Sequence, residues 1–275
     1  MDGENVRNHY STSNLLEKIQ SALSASGDEE RALTSENLAP LDQFHARGLQ
    51  ATAELAEAAQ IGELSVVLDL GSGLGGPSRY LASRYGCRVF GIDLDASFVE
   101  AAEFLSRRTQ LNDLVSYECA NALSTPYPDE FFDIVWTQHV AMNIADREGL
   151  YAEAVRVLKP GGRLAIYDVV SANGAPLHFP VPWARSADTS FLVDSEAMRS
   201  ILENTGFRVI SWIDQTPAGI EWYAARRKAA KSTQAKPGLG LQVVMGEDFP
   251  MMSENFGRNL VEGRTALVQA VLERV

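Results

Sequence analysis

Cysteine is scarce in this sequence, since only Cys87 and Cys119 occur among 275 residues. Two thiols are too few for a disulfide framework or a cysteine-based metal site, so the composition predicts a reducing compartment. Histidine is also rare, and its four copies are scattered, without a cysteine or carboxylate cluster at ligand spacing. We therefore predict no metal site, and only oxygen-ligated divalent ions stay open.

Basic residues are outnumbered, with 24 Lys and Arg against 36 Asp and Glu and a net charge of -12. Nucleic acids and anionic membranes attract Lys and Arg patches, so this balance disfavours both as partners and favours a small-molecule substrate. No apolar run approaches the ~18 residues of a membrane span, and residues 1–6 are not a basic and apolar leader. We predict a cytoplasmic protein, and its oligomeric state stays open, a homodimer included.

Glycines cluster where a short β-branched run ends, in Ser65-Val-Val-Leu-Asp-Leu-Gly-Ser-Gly-Leu-Gly-Gly76. This pattern predicts a strand, a tight turn and a helix, and the missing Cβ atoms let the backbone approach a ligand closely. The next apolar run ends with Asp93, 22 residues beyond Gly71, where a carboxylate can accept both hydroxyls of a ribose. The two runs together predict a cofactor that carries a nucleoside.

The same glycines fit the spacing of dinucleotide-binding proteins, because Gly71, Gly73 and Gly76 form a G-x-G-x-x-G pattern. Asp69 decides between the cofactors, since a carboxylate before the first glycine would repel a pyrophosphate held at this turn. The same carboxylate would stabilise the ammonium and sulfonium of S-adenosylmethionine, directly or through water. We therefore predict S-adenosylmethionine, with S-adenosylhomocysteine as product. In the alternative interpretation, Asp69 only caps the turn.

Polar residues follow four successive predicted strands, at the edge of an α/β sheet where ligands bind. The third strand ends at Asn121, whose side chain could hydrogen-bond an adenine amino group or serve a turn. The fourth ends at Gln138 and His139. The predicted cofactor contacts are therefore Asp69, Gly71, Ser72, Gly73, Asp93, Leu94, Asn121, Ala122 and Gln138.

The segment before the first strand is mostly helical and longer than a sheet needs. We predict a helical N-terminal cap over residues 1–60, which acts as a lid, and a Rossmann-like domain over residues 61–275, in one compact unit. Residues 171–193 lack periodicity and resemble a binding loop, and with residues 215–263 they are predicted substrate-side insertions. The predicted substrate contacts are Tyr10, His45, His139, His178 and Trp183.

Four segments resemble motifs of the class I S-adenosylmethionine-dependent methyltransferases. They are Val67–Gly75 as the first motif, Val89–Asp93 as the ribose strand, Phe132–Trp136 as the fourth strand and Val157–Leu164 as the turn into the fifth. The resemblance implies a Rossmann-like α/β fold with a seven-stranded, mostly parallel sheet, whose last strand, from Thr265, runs antiparallel. Family members commonly have Asp at the position of Asn121, so adenine would here meet an amide oxygen.

A narrower resemblance rests on Leu41-Asp-Gln-Phe-His-Ala-Arg-Gly48 and on the Gln138-His139 pair. These segments are similar to a branch that acts on small metabolites. It includes sarcosine and dimethylglycine N-methyltransferases, with tocopherol, sterol and quinone methyltransferases as relatives. The resemblance implies that residues 45–48 close over the methionine end of the cofactor, with Arg47 near its carboxylate, and that Tyr10 helps to close the site.

The type of acceptor decides whether a base is needed. A neutral amine reacts directly, whereas a phenol or an activated carbon must lose a proton, a task that suits histidine. His139 is our first candidate for the base because it follows the fourth strand, and His45 and His178 are the second and third. In the alternative interpretation His139 only packs beside the cofactor.

We predict a small-molecule methyltransferase with a metabolite amine as preferred acceptor. The alternative enzyme activity is C- or O-methylation of a hydrophobic, aromatic or isoprenoid compound, which the aromatic and proline residues of 179–193 would suit. The alternative outside enzymes is a non-catalytic protein that binds S-adenosylmethionine. An NAD-dependent reductase is disfavoured by Asp69.

Overall fold

The computed structural model describes residues 14–27, 31–232 and 239–275. At its centre is a seven-stranded sheet. Its strands are β1 Val66–Leu70, β2 Arg88–Asp93, β3 Val115–Cys119, β4 Phe132–Gln138, β5 Leu158–Ser171, β6 Phe207–Asp214 and β7 Thr265–Arg274.

Helices surround this sheet, and most connect consecutive strands. They are α1 Leu15–Ser26, α2 Ser35–Asp42, α3 Leu49–Ala59, α4 Gly76–Tyr85, α5 Ala96–Arg108, α6 Arg147–Val157, α7 Ser195–Thr205, α8 Thr216–Ser232, α9 Gln242–Met245 and α10 Phe249–Val261. Two short 3-10 turns, Ala141–Asn143 and Ala187–Thr189, lie after β4 and in the long loop after β5.

The strand order is β3-β2-β1-β4-β5-β7-β6. Strands β1 to β5 pair in parallel, whereas β7 lies between β5 and β6 and pairs with both in antiparallel fashion. The predicted fold class and the antiparallel last strand are therefore confirmed. The chain reverses its order at β1, and β2 and β4 flank that strand, so a crevice opens at their carboxyl ends.

Both faces of the sheet are buried, which explains the continuous apolar runs of the central strands. Alternate residues of a strand point to opposite faces. In β1, Val67 packs in one core cluster with Leu55 of α3, while Leu68 packs in the other with Leu150 of α6. The sheet is thus a rigid platform, and the loops at its carboxyl edge carry the polar groups.

The N-terminal helices form a smaller core of their own. In α1, Leu15, Ile19 and Leu23 lie one turn apart and pack in one cluster with Phe98 of α5 and Val244 of α9. The sequence predicts this first helix over residues 6–24, and the described part runs from Leu15 to Ser26. Residues 1–13 and the predicted turn at residues 236–238 lie outside the described residues.

Strand β5 begins earlier than its pattern predicts. The expected turn at residues 159–162 belongs to the strand as an irregular bulge, because the pairing moves from Phe132 with Leu158 to Ile134 with Arg163. Gly161 permits this with a φ of +74°, a conformation that glycine adopts without strain. The bulge lies at the amino end of the sheet's parallel strands, away from the ligand edge.

Two features are absent from the described residues. No helix there is long and apolar enough to cross a membrane. No group of three or more His, Cys, Asp and Glu side chains in the same residues could hold a metal ion.

Candidate active site

The turn between β1 and α4 brings bare backbone to the crevice. Gly71, Gly73 and Gly75 have φ angles of +71°, +53° and +76°, in the left-handed region that favours glycine. A Cβ atom on Gly71 would lie 2.6 Å from Cγ2 of Val140, which is a steric clash. The turn therefore depends on glycine both for its shape and for its packing under the end of β4.

Asp93 joins this turn to the end of β2. Its Oδ2 accepts a hydrogen bond of 2.9 Å from the amide of Gly73, and its Oδ1 accepts one of 3.0 Å from the amide of Asp95. Each oxygen keeps a lone pair for a further donor. Burial raises the pKa of Asp93, and the two amides oppose that rise. The carboxylate thus lines the cavity with its orientation fixed and acceptor capacity left.

Asp69 lies beneath the turn and does not line the cavity. Its side chain is almost fully buried, and its Oδ2 accepts a short hydrogen bond of 2.5 Å from Oγ of Ser78. Burial raises the pKa of Asp69 to about 7, and the nearby charge of Asp93 adds to the rise. The predicted interaction with a cofactor cation would have to act through the turn, as a field or through water.

This raised pKa makes proton release on cofactor binding an expected result. With a pKa of about 7, a share of the Asp69 carboxyls holds a proton at neutral pH, and a nearby cation favours the ionised form, so binding lowers the pKa and releases protons. Affinity should therefore rise with pH until about pH 7 and then level off. Calorimetry of S-adenosylmethionine binding in buffers of different ionisation enthalpy measures the number of protons released.

The variant Asp69→Asn is the matched control for this measurement, because it keeps the shape of the side chain and removes the proton. It should bind the cofactor without the buffer dependence. An unchanged release of protons in Asp69→Asn would assign the effect to another buried carboxyl.

The two side-chain amides that the sequence predicts as cofactor contacts, Asn121 and Gln138, lie at the ends of strands β3 and β4. Asn121 is exposed, and its Oδ1 accepts a hydrogen bond of 3.0 Å from the amide of Leu123, so it does serve the turn. Gln138 is buried, and its Oε1 accepts a hydrogen bond of 3.0 Å from the indole of Trp136. Its Nε2 has no partner among the described residues, which leaves a buried donor on a residue that lines the cavity.

His139 lies directly after β4 in a strained conformation, with a φ of +54°. Its amide donates a hydrogen bond of 2.8 Å to the carbonyl of Tyr167, and its ring stacks on the Tyr167 ring with centroids 5.4 Å apart. Burial and the neighbouring His45 hold the pKa of His139 well below its usual value. The ring is therefore neutral at pH 7, and its Nε2 has no partner among the described residues.

His45 lies in the turn between α2 and α3, and its side chain contacts His139. Its ring meets the ring of His139 edge to face, with centroids 6.0 Å apart. Its Nε2 lies 3.0 Å from the carbonyl of Gly48 and 3.0 Å from Oγ1 of Thr52. Burial lowers the pKa of His45 to about 4, so this ring is also neutral at pH 7.

Apolar side chains from several segments also line this cavity, and we call them its apolar wall. They come from the turn after α2, from α5, from the loops after β4 and β5 and from the segment that leads into α10. They are Phe44, Phe98, Met142, Pro182, Trp183, Leu241, Met245 and Phe249. Among the described residues, no Lys or Arg lines this cavity.

Besides Asp69, two further predicted contacts, Arg47 and His178, are not brought to the cavity. Arg47 is buried, but its guanidinium donates to Oε1 of Glu54 at 2.6 Å and to the amide oxygen of Gln215 at 3.0 Å. His178 pairs with Glu262 at 2.8 Å on the outer side of the long loop. Both side chains are held by carboxylates elsewhere, which the sequence could not reveal. Tyr10 lies outside the described residues.

Some cavity residues were not predicted at all. Asn143 and Met142 follow β4 closely, so the rule of strand ends could have found them. Leu241, Met245 and Phe249 lie in the predicted insertion of residues 215–263, but no motif singled them out within it. No local signal separates such apolar wall residues from ordinary core residues.

The cavity fits a nucleoside cofactor with a cationic end. The glycine turn offers open backbone, Asp93 offers acceptor oxygens and Gln138 offers a donor that lacks a partner. The hydroxyl of Ser72 is also buried without a partner in the described part of the chain. Asp69 beneath the turn opposes an anionic pyrophosphate, and no lining cation would offset it. These donors and acceptors fit S-adenosylmethionine.

Comparison with known proteins agrees with this geometry. Residues 68–166 match the family described as a methyltransferase domain. A sarcosine/dimethylglycine N-methyltransferase of Halorhodospira halochloris is 28% identical over 78% of this chain and 75% of its own length. Phosphoethanolamine N-methyltransferase 1 of Zea mays is 32% identical over 62% of this chain, which spans only 33% of that relative. A solved geranyl diphosphate methyltransferase in complex with SAM shares the fold with a TM-score of 0.65, at 21% identity over 82% of this chain and 85% of that one.

The sheet order and the glycine turn with its carboxylates define a Rossmann-like protein that binds a nucleoside cofactor. The domain matched over residues 68–166 and these relatives make the chain similar to the S-adenosylmethionine-dependent methyltransferases, whose fold it shares.

Proposed function

We propose that this chain transfers a methyl group from S-adenosylmethionine to oxygen or carbon of a small acceptor that is largely apolar and carries no net charge. The observation that carries this proposal is the apolar wall of the cavity, which has no Lys or Arg among its described residues. The cofactor supplies a methyl group on a positively charged sulfur. The chain's own residues have to align the acceptor and exclude water.

In this proposal the cofactor occupies the side of the cavity formed by the strand ends. Asp93 accepts the ribose hydroxyls, since both of its oxygens keep acceptor capacity after binding the turn. Asn121 and Ala122 lie beside the adenine, and the open backbone of Gly71 and Gly73 faces the methionine end. The acceptor then lies against Met142 and Trp183, next to the two histidines.

An amine that also carries a carboxylate or phosphate fits this wall less well. Such a group loses its hydration on entry and needs a cationic partner inside the protein. Arg47, the predicted carboxylate partner, is already bound to Glu54 and lies outside the cavity. N-methylation of a metabolite amine is the second candidate, because Asp42, Asp95 and Asp146 line the cavity besides Asp93 and two relatives are N-methyltransferases.

A panel of acceptors with a labelled methyl donor tests the proposal. The panel contains neutral phenols and isoprenoid alcohols, then sarcosine and dimethylglycine, then phosphoethanolamine. We expect label transfer to members of the first group only. Transfer mainly to the amines would overturn the proposal, and cofactor binding without transfer to any group would favour the non-catalytic alternative.

A charge placed in the wall gives a second, independent test. Met245→Lys puts a cation beside the acceptor, so it should raise the KM of an apolar acceptor while cofactor affinity changes little. Met251→Lys is the matched control, because Met251 lies nearby in sequence and is exposed. Equal kinetics of the two variants would show that the apolar wall does not hold the acceptor.

A further inference from the structure

The hydrogen bonds of His45 determine which of its ring nitrogens carries the proton. Nε2 lies 3.0 Å from the carbonyl oxygen of Gly48. A carbonyl only accepts hydrogen bonds, so Nε2 must be the donor. The ring is neutral at pH 7, since burial keeps its pKa near 4, and it holds one proton. Nδ1 is therefore the nitrogen with a free lone pair, on a side chain that lines the cavity.

We propose that His45 is the general base of this enzyme and that Nδ1 removes the proton of the acceptor's hydroxyl group. The inference rests on the proposed function. In the step, the acceptor oxygen bonds to the methyl carbon, the electron pair of the broken carbon–sulfur bond stays on sulfur, and the hydroxyl proton moves to Nδ1. The imidazolium then returns its proton to water when the product leaves.

No hydrogen bond determines which ring nitrogen of the second histidine, His139, carries the proton. The ring of His139 makes no hydrogen bond within the described residues, and its Nε2 is buried. Its flat face rests on Tyr167, and its edge meets Phe256 at a centroid distance of 6.0 Å. These contacts fix the plane of the ring without selecting a tautomer. We therefore assign His139 a packing role beside His45, and His45 the role of the base.

Two residues hold the tautomer of His45. Gly48 has φ and ψ angles of +50° and -139°, which only glycine adopts without strain, and this conformation aims its carbonyl at the ring. Thr52, one helical turn further on, has its Oγ1 3.0 Å from Nε2 and 2.8 Å from Oε1 of Gln43. Because the hydroxyl has one proton, it can donate that proton to Gln43 and accept from Nε2. Gly48 and Thr52 are positioning residues in this proposal.

Nitrogen-15 NMR of histidine-labelled protein tests the tautomer without any acceptor. The signals are assigned with His45→Gln, His139→Gln and His178→Gln. We expect the chemical shifts of a proton on Nε2 of His45 at pH 7. A proton on Nδ1 of His45, or a charged ring at pH 7, would overturn the proposal.

Kinetics with an acceptor that the panel identifies tests the base itself. His45→Gln should lower kcat about 10²- to 10⁴-fold, the usual contribution of a general base, while cofactor affinity by calorimetry is kept. The loss should shrink tenfold per pH unit as pH rises, because the acceptor ionises by itself. His178→Gln, outside the cavity, should keep the full activity.

The outcomes separate the two proposals. Normal turnover of a hydroxyl acceptor by His45→Gln would overturn the assignment of the base and leave the proposed function intact. The same loss in His139→Gln without one in His45→Gln would reverse the roles. Binding of S-adenosylmethionine with no transfer to any acceptor by the unmodified protein would overturn the proposed function, and the base assignment with it.

Discussion

Replacing Asp42 by Ala should lower the free energy of unfolding by about 3–5 kcal/mol, the usual cost of leaving a buried charge unpaired. Its Oδ2 accepts a hydrogen bond of 2.7 Å from Arg79, and both side chains are almost fully buried. The pair joins the end of α2 to α4, where the backbone of Asp42 also packs against Gly76. Unfolding by urea, followed by circular dichroism, measures the loss.

The double variant Asp42→Leu with Arg79→Met provides a sharp control. It removes both charges at similar volume and should regain most of the lost stability, because neither charge then has to be desolvated. The exposed pair Arg199 and Glu203 sets the baseline, since breaking it should cost no more than about 1 kcal/mol. An Asp42→Ala variant as stable as the unmodified protein would show that Arg79 reaches solvent or another partner.

The variant Asp93→Ala should weaken the binding of S-adenosylmethionine about 10- to 150-fold. Such a factor corresponds to about 1.5–3 kcal/mol, the contribution of a hydrogen bond to a charged group. Two causes add up here. The ribose hydroxyls lose their acceptor, and the amide of Gly73 loses the bond that shapes the glycine turn. Calorimetric titration of the variant gives the change in affinity.

Two matched variants separate the causes for Asp93. Asp93→Asn keeps one acceptor oxygen and should lose less affinity than Asp93→Ala. Asp113→Ala removes an exposed carboxylate outside the cavity and should bind the cofactor normally. Full affinity in Asp93→Ala would overturn the assignment to the ribose, and a large loss of stability without loss of affinity would make Asp93 a purely structural residue.

The predictions for the sheet succeeded because they rest on signals that neighbouring residues share. The run Val66–Leu70 ends at glycines whose positive φ angles no other residue adopts easily, so strand, turn and helix follow directly. The carboxyl ends of parallel strands meet at one edge, which brings Asp93, Gln138 and His139 to one cavity. Whether each of them binds the cofactor stays a prediction.

The predictions for Arg47 in the lid and for His178 in the long loop were weaker for a physical reason. Arg47 and His178 were placed by resemblance or by composition, and a long cationic or polar side chain pairs with whichever carboxylate the fold brings near it. Glu54 and Glu262 are those carboxylates here. The pairing with Glu262 joins residues 84 positions apart, a contact that no local pattern encodes.

The amino-acid sequence by itself determined the fold class and the cofactor side of the cavity, because periodicity, glycine turns and strand ends are local or follow from the parallel sheet. Trp183, His45 and His139 on the acceptor side were also predicted from the sequence, but only the tertiary structure brought the other wall residues to them. The apolar wall joins Phe44, Met142, Trp183 and Met245 from four distant segments. Burial keeps His45 neutral, burial together with the neighbouring His45 keeps His139 neutral, and the carbonyl of Gly48 selects the tautomer of His45. Desolvation and hydrogen-bond direction are properties of the folded surroundings, so they cannot be derived from the order of residues.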